Sequence, residues 1–495
     1  MNNLLIIFIL VVILVFIYIL KKMNYNMKIS VIILNYNRPH NIKQLLNNII
    51  KYNFIDDIII SHGKKETEAL YNHTKVRNET KLRNIYYSAT RFELSSMAHN
   101  DFILFLDDDI LPSRKLLINI INKINNDKML NKHNLYGPFK RLCNDTYKTD
   151  NRDYNIVLTG CAIINKHTAI KVWNKIKNGP FFNELIENKG NGEDLLFSKY
   201  IKLFGGENIY VNGKYTFLDN KNGYSDNHNH YKLRRSICNK INNYDYGQII
   251  EKNIFQCYYT KYEDLPIEYK NNIEKIKKEN PEYNYRYFTD DDIIQYIKIN
   301  YNNEYAELYN RINKCYGAAK ADLFRYLVIY KEGGVYLDIK STLNKPLKEI
   351  IQPYDEYLLT SWYRITPQEH HETILKTGFG EFAQWIIISR KNHPFLKSII
   401  NNCIYNLNNI PRLPILPISY NFYKQKRLLV LFTTGPIMYT KSIMKIINKY
   451  NYTFKYNYYN KSFKYSIYNS YTRHRNYNSS NNYHICNKEL LKELK

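Results

Sequence analysis

Twice in this chain an apolar strand runs straight into a carboxylate: residues 102–110 read FILFLDDDI and residues 333–340 read GGVYLDIK. An acidic cluster at the carboxyl end of a buried strand is where an α/β sheet places ligand chemistry. A carboxylate pair there can hold a divalent cation against a diphosphate. Two such segments, far apart in the chain, predict two α/β domains with a site in each.

The 495 residues leave room for two or three domains, and 44% apolar content supplies their cores. The net charge of +26, from 71 basic and 45 acidic residues, raises the question of a nucleic-acid partner. The lysines, however, are spread among Asn, Ile and Tyr along the whole chain, with no dense basic stripe, and no nucleic-acid partner is expected. Seven cysteines are scattered without a CxxC pair. That pattern predicts neither a zinc site nor a disulfide framework, and so a reducing compartment.

Residues 4–20 form an unbroken apolar run. As a helix rising ~1.5 Å per residue, it approaches the length that crosses a bilayer core. No basic residue precedes it and no small-x-small site follows, so residues 1–22 read as a single-pass membrane anchor rather than a cleaved signal. Lys21, Lys22 and Lys28 follow the run. The positive-inside tendency then puts the rest of the chain in the cytosol. Sequons such as those at Asn72 and Asn144 are ascribed to the Asn-rich composition.

After the anchor, residues 28–34 read as a buried strand, and Ile42, Leu45, Leu46, Ile49 and Ile50 recur at helical spacing after Pro39. Residues 58–61 form the next strand, completing a βαβ opening. Residues 102–106 are a further strand ending at Asp107, Asp108 and Asp109, and Leu116, Leu117, Ile120, Ile121 and Ile124 form one face of the helix behind it.

Five pieces in order, VIILNYNR (31–38), LFLDDDI (104–110), YNIVLTGCAI (154–163), GNGEDLLFS (190–198) and the His230-x3-Arg234 pair, resemble glycosyltransferases of the GT-A fold. The similarity is to family 2 or to the carboxyl-terminal transferase domain of the exostosins. It implies that Asn35 and Arg38 line a nucleotide pocket and that Asp107 and Asp109 serve a divalent cation, Mn²⁺ or Mg²⁺, and a diphosphate. Asp194 would face the acceptor as base or positioning carboxylate, with His230 and Arg234 closing on the phosphates. Read without the resemblance, Glu193-Asp194 is a helix N-terminal acidic pair, and His228 and His230 are loop residues.

In the second half, Leu323, Leu327 and Tyr330 recur on one side of a helix over residues 318–331, while Asp322 and Arg325 share another face. Gly333-Gly334 stops that helix and residues 335–337 carry the chain as a strand to Asp338, bringing Asp322, Arg325 and Asp338 toward one pocket. Alone, an Asp/Arg pair at this spacing is usually a surface salt bridge. Thr289 reads as the N-cap of a helix over the acidic run Asp290, Asp291 and Asp292.

The stretch AKADLFRYLVIYKEGGVYLDI (319–339) resembles the sugar-binding region of glycosyltransferase family 32, which includes initiating α-1,6-mannosyltransferases, and the catalytic domain of large glucosylating bacterial toxins. IFQCYY (254–259), NPEYNYRYFTDDD (280–292), His393-Pro394 and TTGPIMYT (433–440) extend it. The resemblance implies a second GT-A domain that retains anomeric configuration. Asp322 and Arg325 would hold the donor sugar, Asp338 would support diphosphate and metal, and Tyr258 and Lys340 would lie at the nucleotide. The family's second acidic residue is replaced by Lys340.

The organisation expected is therefore an anchor (1–22), a first GT-A-type, Rossmann-like domain (27–235), a linker (236–251), a second such domain (252–450) and a Tyr/Asn/Lys-rich tail (451–495). The expected function is transfer from a nucleotide-sugar to a glycan or glycoprotein acceptor at two sites. The alternative is one active domain beside an inactive glycan- or nucleotide-binding one.

Overall fold

The computed structural model describes residues 27–492 apart from 66–67, 69–70, 83–84, 128–132, 145–146, 149–152, 220–229, 362–379, 411–421, 450–451, 455–461 and 469–487. The chain divides into two compact units, Met1–Asp245 and Tyr246–Lys495. Both have a mixed α/β fold. The expected anchor over residues 4–20, and His228, lie outside the described residues. Among the described residues no helix is long and apolar enough to cross a membrane.

In the first unit, β1 (Ile29–Asn35), β2 (Ile55–His62), β3 (Val76–Glu79), β4 (Phe102–Asp107), β5 (Leu135–Gly137), β7 (Cys161–Asn165) and β8 (Asn208–Tyr210) make one sheet. Its order is β8-β5-β7-β4-β1-β2-β3. Strand β6 (Lys140–Cys143) lies outside it, paired with Tyr147–Lys148 and Ile156–Val157. β1 runs parallel to both β2 and β4, with Asn35 opposite His62 and Leu34 opposite Asp107. The carboxyl ends of three strands are thus level, and their polar terminal residues share one edge. Helix α1 (Pro39–Ile49) starts with proline in its first turn, where no intrahelical N–H is needed, and buries Ile42, Leu45, Leu46 and Ile49. Helix α2 (Arg114–Asp127) buries Leu116, Leu117, Ile120, Ile121 and Ile124 into the same core.

Helix α3 (Glu193–Leu203) is buried over most of its length, and α4 (His230–Asn243) packs beside it. Residues 236–243, read from sequence as the start of a linker, continue α4. Ile237, Cys238 and Ile241 are buried there, because their spacing puts them on one helical face.

Cys143, at the end of β6, is bonded to Cys238 of α4 across 95 residues of sequence. Cys315 is also disulfide-bonded. The expectation of a chain without disulfides is therefore corrected. Scattered spacing carries no pairing information when strand and helix are brought together only by the tertiary fold.

In the second unit, β9 (Asn253–Cys257), β10 (Asn284–Phe288), β11 (Gly334–Leu337), β12 (Tyr357–Leu359), β13 (Ile386–Ser389) and β14 (Thr453–Phe454) form a sheet of order β10-β9-β11-β13-β12-β14. β9 is parallel to β10 and β11, and β13 is antiparallel to β11 and β12. Helix α5 (Ile267–Glu279) follows β9. Helix α6 (Asp290–Asn300) is capped by Thr289, whose side chain and that of Asp292 satisfy each other's backbone N–H. Helix α7 (Gly317–Glu332) ends at Gly333 and Gly334, with φ of +66° and +108°. A side chain at Gly333 would strike the Glu251 carboxylate, so the turn into β11 requires glycine on both backbone and spatial grounds. Helices α8 (Pro394–Asn408) and α9 (Pro436–Met444) pack together beyond the sheet.

Candidate functional site

The level strand ends of the first unit open into a cavity of about 260 Å³. Asn35, Arg38, Asp107, Asp108, Asp109, Asp194, His230 and Arg234 all line it, together with Arg91, Asn191 and Glu193. The first-half residues to which the resemblance gives a role are thus at one place.

Each carboxylate of the triplet already has a cationic neighbour. Arg38 Nη1 donates to Asp109 Oδ2 at 2.7 Å, and its Nε lies 3.3 Å from Asp108. Arg91, only 3% exposed, donates to Asp107 Oδ1 at 2.6 Å and to the carbonyls of Thr159 and Ser88. Nothing in the local pattern around Arg91 marks it, and sequence reasoning missed it. Gly160 gives its carbonyl to the Asp107 N–H at 2.8 Å, and a Cβ there would strike the Asp107 carboxylate. Asn35 lies 3.0 Å from His62 Nδ1, a contact within the strand-end row.

Across the cavity, Arg234 Nη2 donates to Asp194 Oδ1 at 2.5 Å, and its guanidinium lies 4.9 Å from the centre of the Tyr147 ring. His230 Nδ1 is buried with no hydrogen-bond partner among the described residues. Burial, reinforced by Arg234, holds the imidazole pKa below its usual range. Burial also pushes the Asp108 carboxyl up to about 7, with Asp107 and Asp109 adding to it against the pull of Arg38. Glu193 is pushed up to about 7 by burial and by Asp194, against Arg91. Carboxyl groups poised near neutrality in a cleft are what proton-transfer chemistry uses.

In the second unit Arg325 joins the two carboxylates expected beside it. Its Nη2 is 2.9 Å from Asp338 and 3.3 Å from Asp322. Asp322 also accepts from Gln384 Nε2 at 3.0 Å and from the Thr434 hydroxyl at 2.8 Å. Burial pushes its carboxyl up to about 6, with Arg325 opposing. Gln384 is a hub that sequence reasoning missed: its side-chain oxygen accepts from Tyr326, and its carbonyl accepts from Arg325.

Lys340 Nζ donates to the Tyr465 hydroxyl at 2.8 Å. Tyr258 packs with Tyr269 in the cluster that also buries Ile339, the middle residue of Asp-Ile-Lys. The buried His393 caps α8 by accepting from the Phe395 N–H, so its position is structural.

Residues 29–255 match the family model of the glycosyl transferase family 64 domain, and residues 266–357 that of the glycosyltransferase sugar-binding region containing the DXD motif. The chain is 29% identical over 161 residues to an uncharacterized glycosyltransferase of Acanthamoeba polyphaga mimivirus, covering 32% of this chain and 58% of that protein. It is 25% identical over 246 residues to inositol phosphoceramide mannosyltransferase 3 of Schizosaccharomyces pombe, covering 49% and 55%. It is 27% identical over 168 residues to the initiation-specific alpha-1,6-mannosyltransferase of Candida albicans, covering 32% and 43%. The chain spans about half the length of the curated relatives it matches. A solved PaToxG glycosyltransferase matches at 17% identity over 41% of this chain and 70% of that one, with a TM-score of 0.29, too low to carry an argument. With one region beginning at β1 and another spanning α7 and β11, the chain carries two segments that match glycosyltransferase family models.

Proposed function

We propose that the chain transfers a sugar from a nucleotide-sugar to a glycan or glycoprotein acceptor, that both units are of GT-A type, and that the first carries a competent site. The observation supporting this is the cavity in which Asp107 and Asp109 stand with Asp194, His230 and Arg234. Carboxylates at strand ends can orient a diphosphate through a cation. Guanidinium groups can neutralise the leaving phosphates, and a near-neutral carboxyl can take the acceptor hydroxyl proton.

The donor set of the first unit fits a hard cation. Arg38 and Arg91 each take one oxygen of Asp109 and Asp107, and a cation held by the remaining oxygens of these two carboxylates would complete its shell from substrate phosphate and water. Such a cation would supply charge neutralisation at the diphosphate. Asp194 is engaged by Arg234, which suits a positioning role. Glu193 beside it has the near-neutral character of a general base. Residues 4–20 remain our proposed membrane anchor. The disulfide-bonded cysteines Cys143, Cys238 and Cys315 support an oxidising compartment, which reverses the orientation that the basic flank suggests.

The test is a screen of nucleotide-sugars against the full chain with Mn²⁺, read as released nucleotide, with mannosyl donors first because of the named relatives. A donor that is hydrolysed or transferred, with turnover falling about a hundredfold or more in Asp109→Asn, is the expected result. Turnover indifferent to Asp109→Asn would sink the assignment of this site.

A further inference from the structure

We propose that the second unit binds the diphosphate of its nucleotide-sugar without a divalent cation, the ammonium of Lys340 taking the place of the metal. The inference rests on the donor reading above and assigns that site its charge chemistry.

The residues present do not fit a metal: the first unit offers one oxygen from each of two carboxylates, Asp107 and Asp109, whereas this turn offers Asp338 alone. Asp338 Oδ1 is engaged by Arg325 at 2.9 Å and receives the Tyr336 hydroxyl at 3.4 Å. Both oxygens of Asp322 are occupied, Oδ1 by Gln384 and Oδ2 by Thr434. Two residues beyond Asp338, where a second carboxylate would complete a cation site, stands Lys340. The carboxylates of Asp322 and Asp338 are matched in number by the cations of Arg325 and Lys340. No surplus of negative charge is left at this turn to draw a dication.

Lys340 is also fixed, which a surface lysine is not. Its Nζ lies 2.8 Å from the Tyr465 hydroxyl and 4.3 Å from the centre of that ring, and the ring packs edge-on against Trp385. The backbone is clamped as well: Ile467 N donates to the Lys340 carbonyl at 2.8 Å, and the Ser341 hydroxyl donates to the Tyr465 carbonyl at 2.8 Å. Part of the Tyr-rich tail that the sequence left without a role thus holds the Asp-Ile-Lys turn. An ammonium has three donors, so the bond to Tyr465 leaves two for phosphate oxygens. Holding a flexible lysine in advance removes much of the rotamer entropy lost on binding.

The experiment uses the full chain, with UDP and GDP as probes in calorimetric titrations, in excess EDTA and in Mn²⁺. One nucleotide per chain should bind in EDTA. Lys340→Ala should weaken that binding at least tenfold, Tyr465→Phe should weaken it severalfold while keeping the ring, and Lys340→Arg should retain it. Counting bound Mn²⁺ by electron paramagnetic resonance with nucleotide saturating should give one ion per chain, rising to two in Lys340→Asp. A second-unit nucleotide that binds only with Mn²⁺, or a wild-type count of two ions, would overturn the inference and leave the donor reading standing. Absence of a Lys340-dependent nucleotide under either condition would instead show that the donor reading of this unit fails, and the inference with it.

Discussion

Arg234 reaches Asp194 at 2.5 Å from a helix that is pinned by Cys238 to Cys143, the last residue of a strand on the rim of the same unit. The disulfide therefore holds the helix that delivers both His230 and Arg234 to the cavity. Closing a loop of 95 residues limits the unfolded chain, and its loss in Cys143→Ser/Cys238→Ser is expected to cost on the order of 4 kcal/mol. Thermal melts with and without reductant check this. A reductant-insensitive wild-type melting temperature would show that the bond adds no stability.

Arg91 is buried with three hydrogen bonds, to Asp107, Thr159 and Ser88. Arg91→Ala would leave the Asp107 carboxylate without its partner and two carbonyls without donors. The expected loss is about 1–3 kcal/mol in denaturant unfolding, because Arg91 is buried while the Asp107 side chain is 36% exposed. Arg91→Lys should recover only part of it, because an ammonium cannot reproduce the guanidinium fork. A loss under about 1 kcal/mol would mean that the pair behaves like an exposed one.

Asp108 carries a pH signature. Burial raises its folded pKa from 3.8 to about 7, so the fold favours the protonated form. Its contribution to stability is complete below about pH 4 and is lost as pH rises through about 7. Asp108→Asn should therefore look more stabilising at pH 8 than at pH 5, by on the order of 2 kcal/mol. Denaturant midpoints of both proteins at the two pH values decide it. An unchanged difference would place the Asp108 carboxyl in its ordinary range.

Glu193 and Asp194 separate by kinetics. If Glu193 takes the acceptor proton, kcat should rise with pH through about 7, and Glu193→Gln should abolish that limb and lower kcat about a hundredfold or more. Asp194→Asn should lower kcat while leaving the limb in place. The reverse pattern would return the proton-acceptor role to Asp194.

Asn144 is exposed beside the disulfide. An oxidising compartment predicts a glycan there in protein expressed in eukaryotic cells, seen as an endoglycosidase-sensitive mass shift lost in Asn144→Gln. A chain with every sequon bare and its cysteines reduced would place both units in the cytosol.

What the sequence could carry by itself was local. Apolar continuity marked a strand over residues 102–106, found as Phe102–Asp107, and helical spacing marked the buried faces of Pro39–Ile49 and Arg114–Asp127. Thr289 before three aspartates and Gly333-Gly334 after α7 are likewise local, because caps and turns are satisfied within a few residues. The strand over 58–61 was read short of its full extent, Ile55–His62, since Asp56 and Asp57 break the apolar run. Asp57 is tolerated because Ser30 and Arg77 bond to it from neighbouring strands and the His99 N–H donates to it as well.

Contacts of long sequence separation had no such signal. Cys143 with Cys238, Arg91 with Asp107, Gln384 with Asp322 and Tyr465 with Lys340 each join segments whose own periodicity is silent about the other. A buried polar group must find a partner, but sequence does not say which one, because several chain segments offer equivalent donors and acceptors. The sheet order and the packing of helices on it make that choice, by deciding which of those groups are desolvated together.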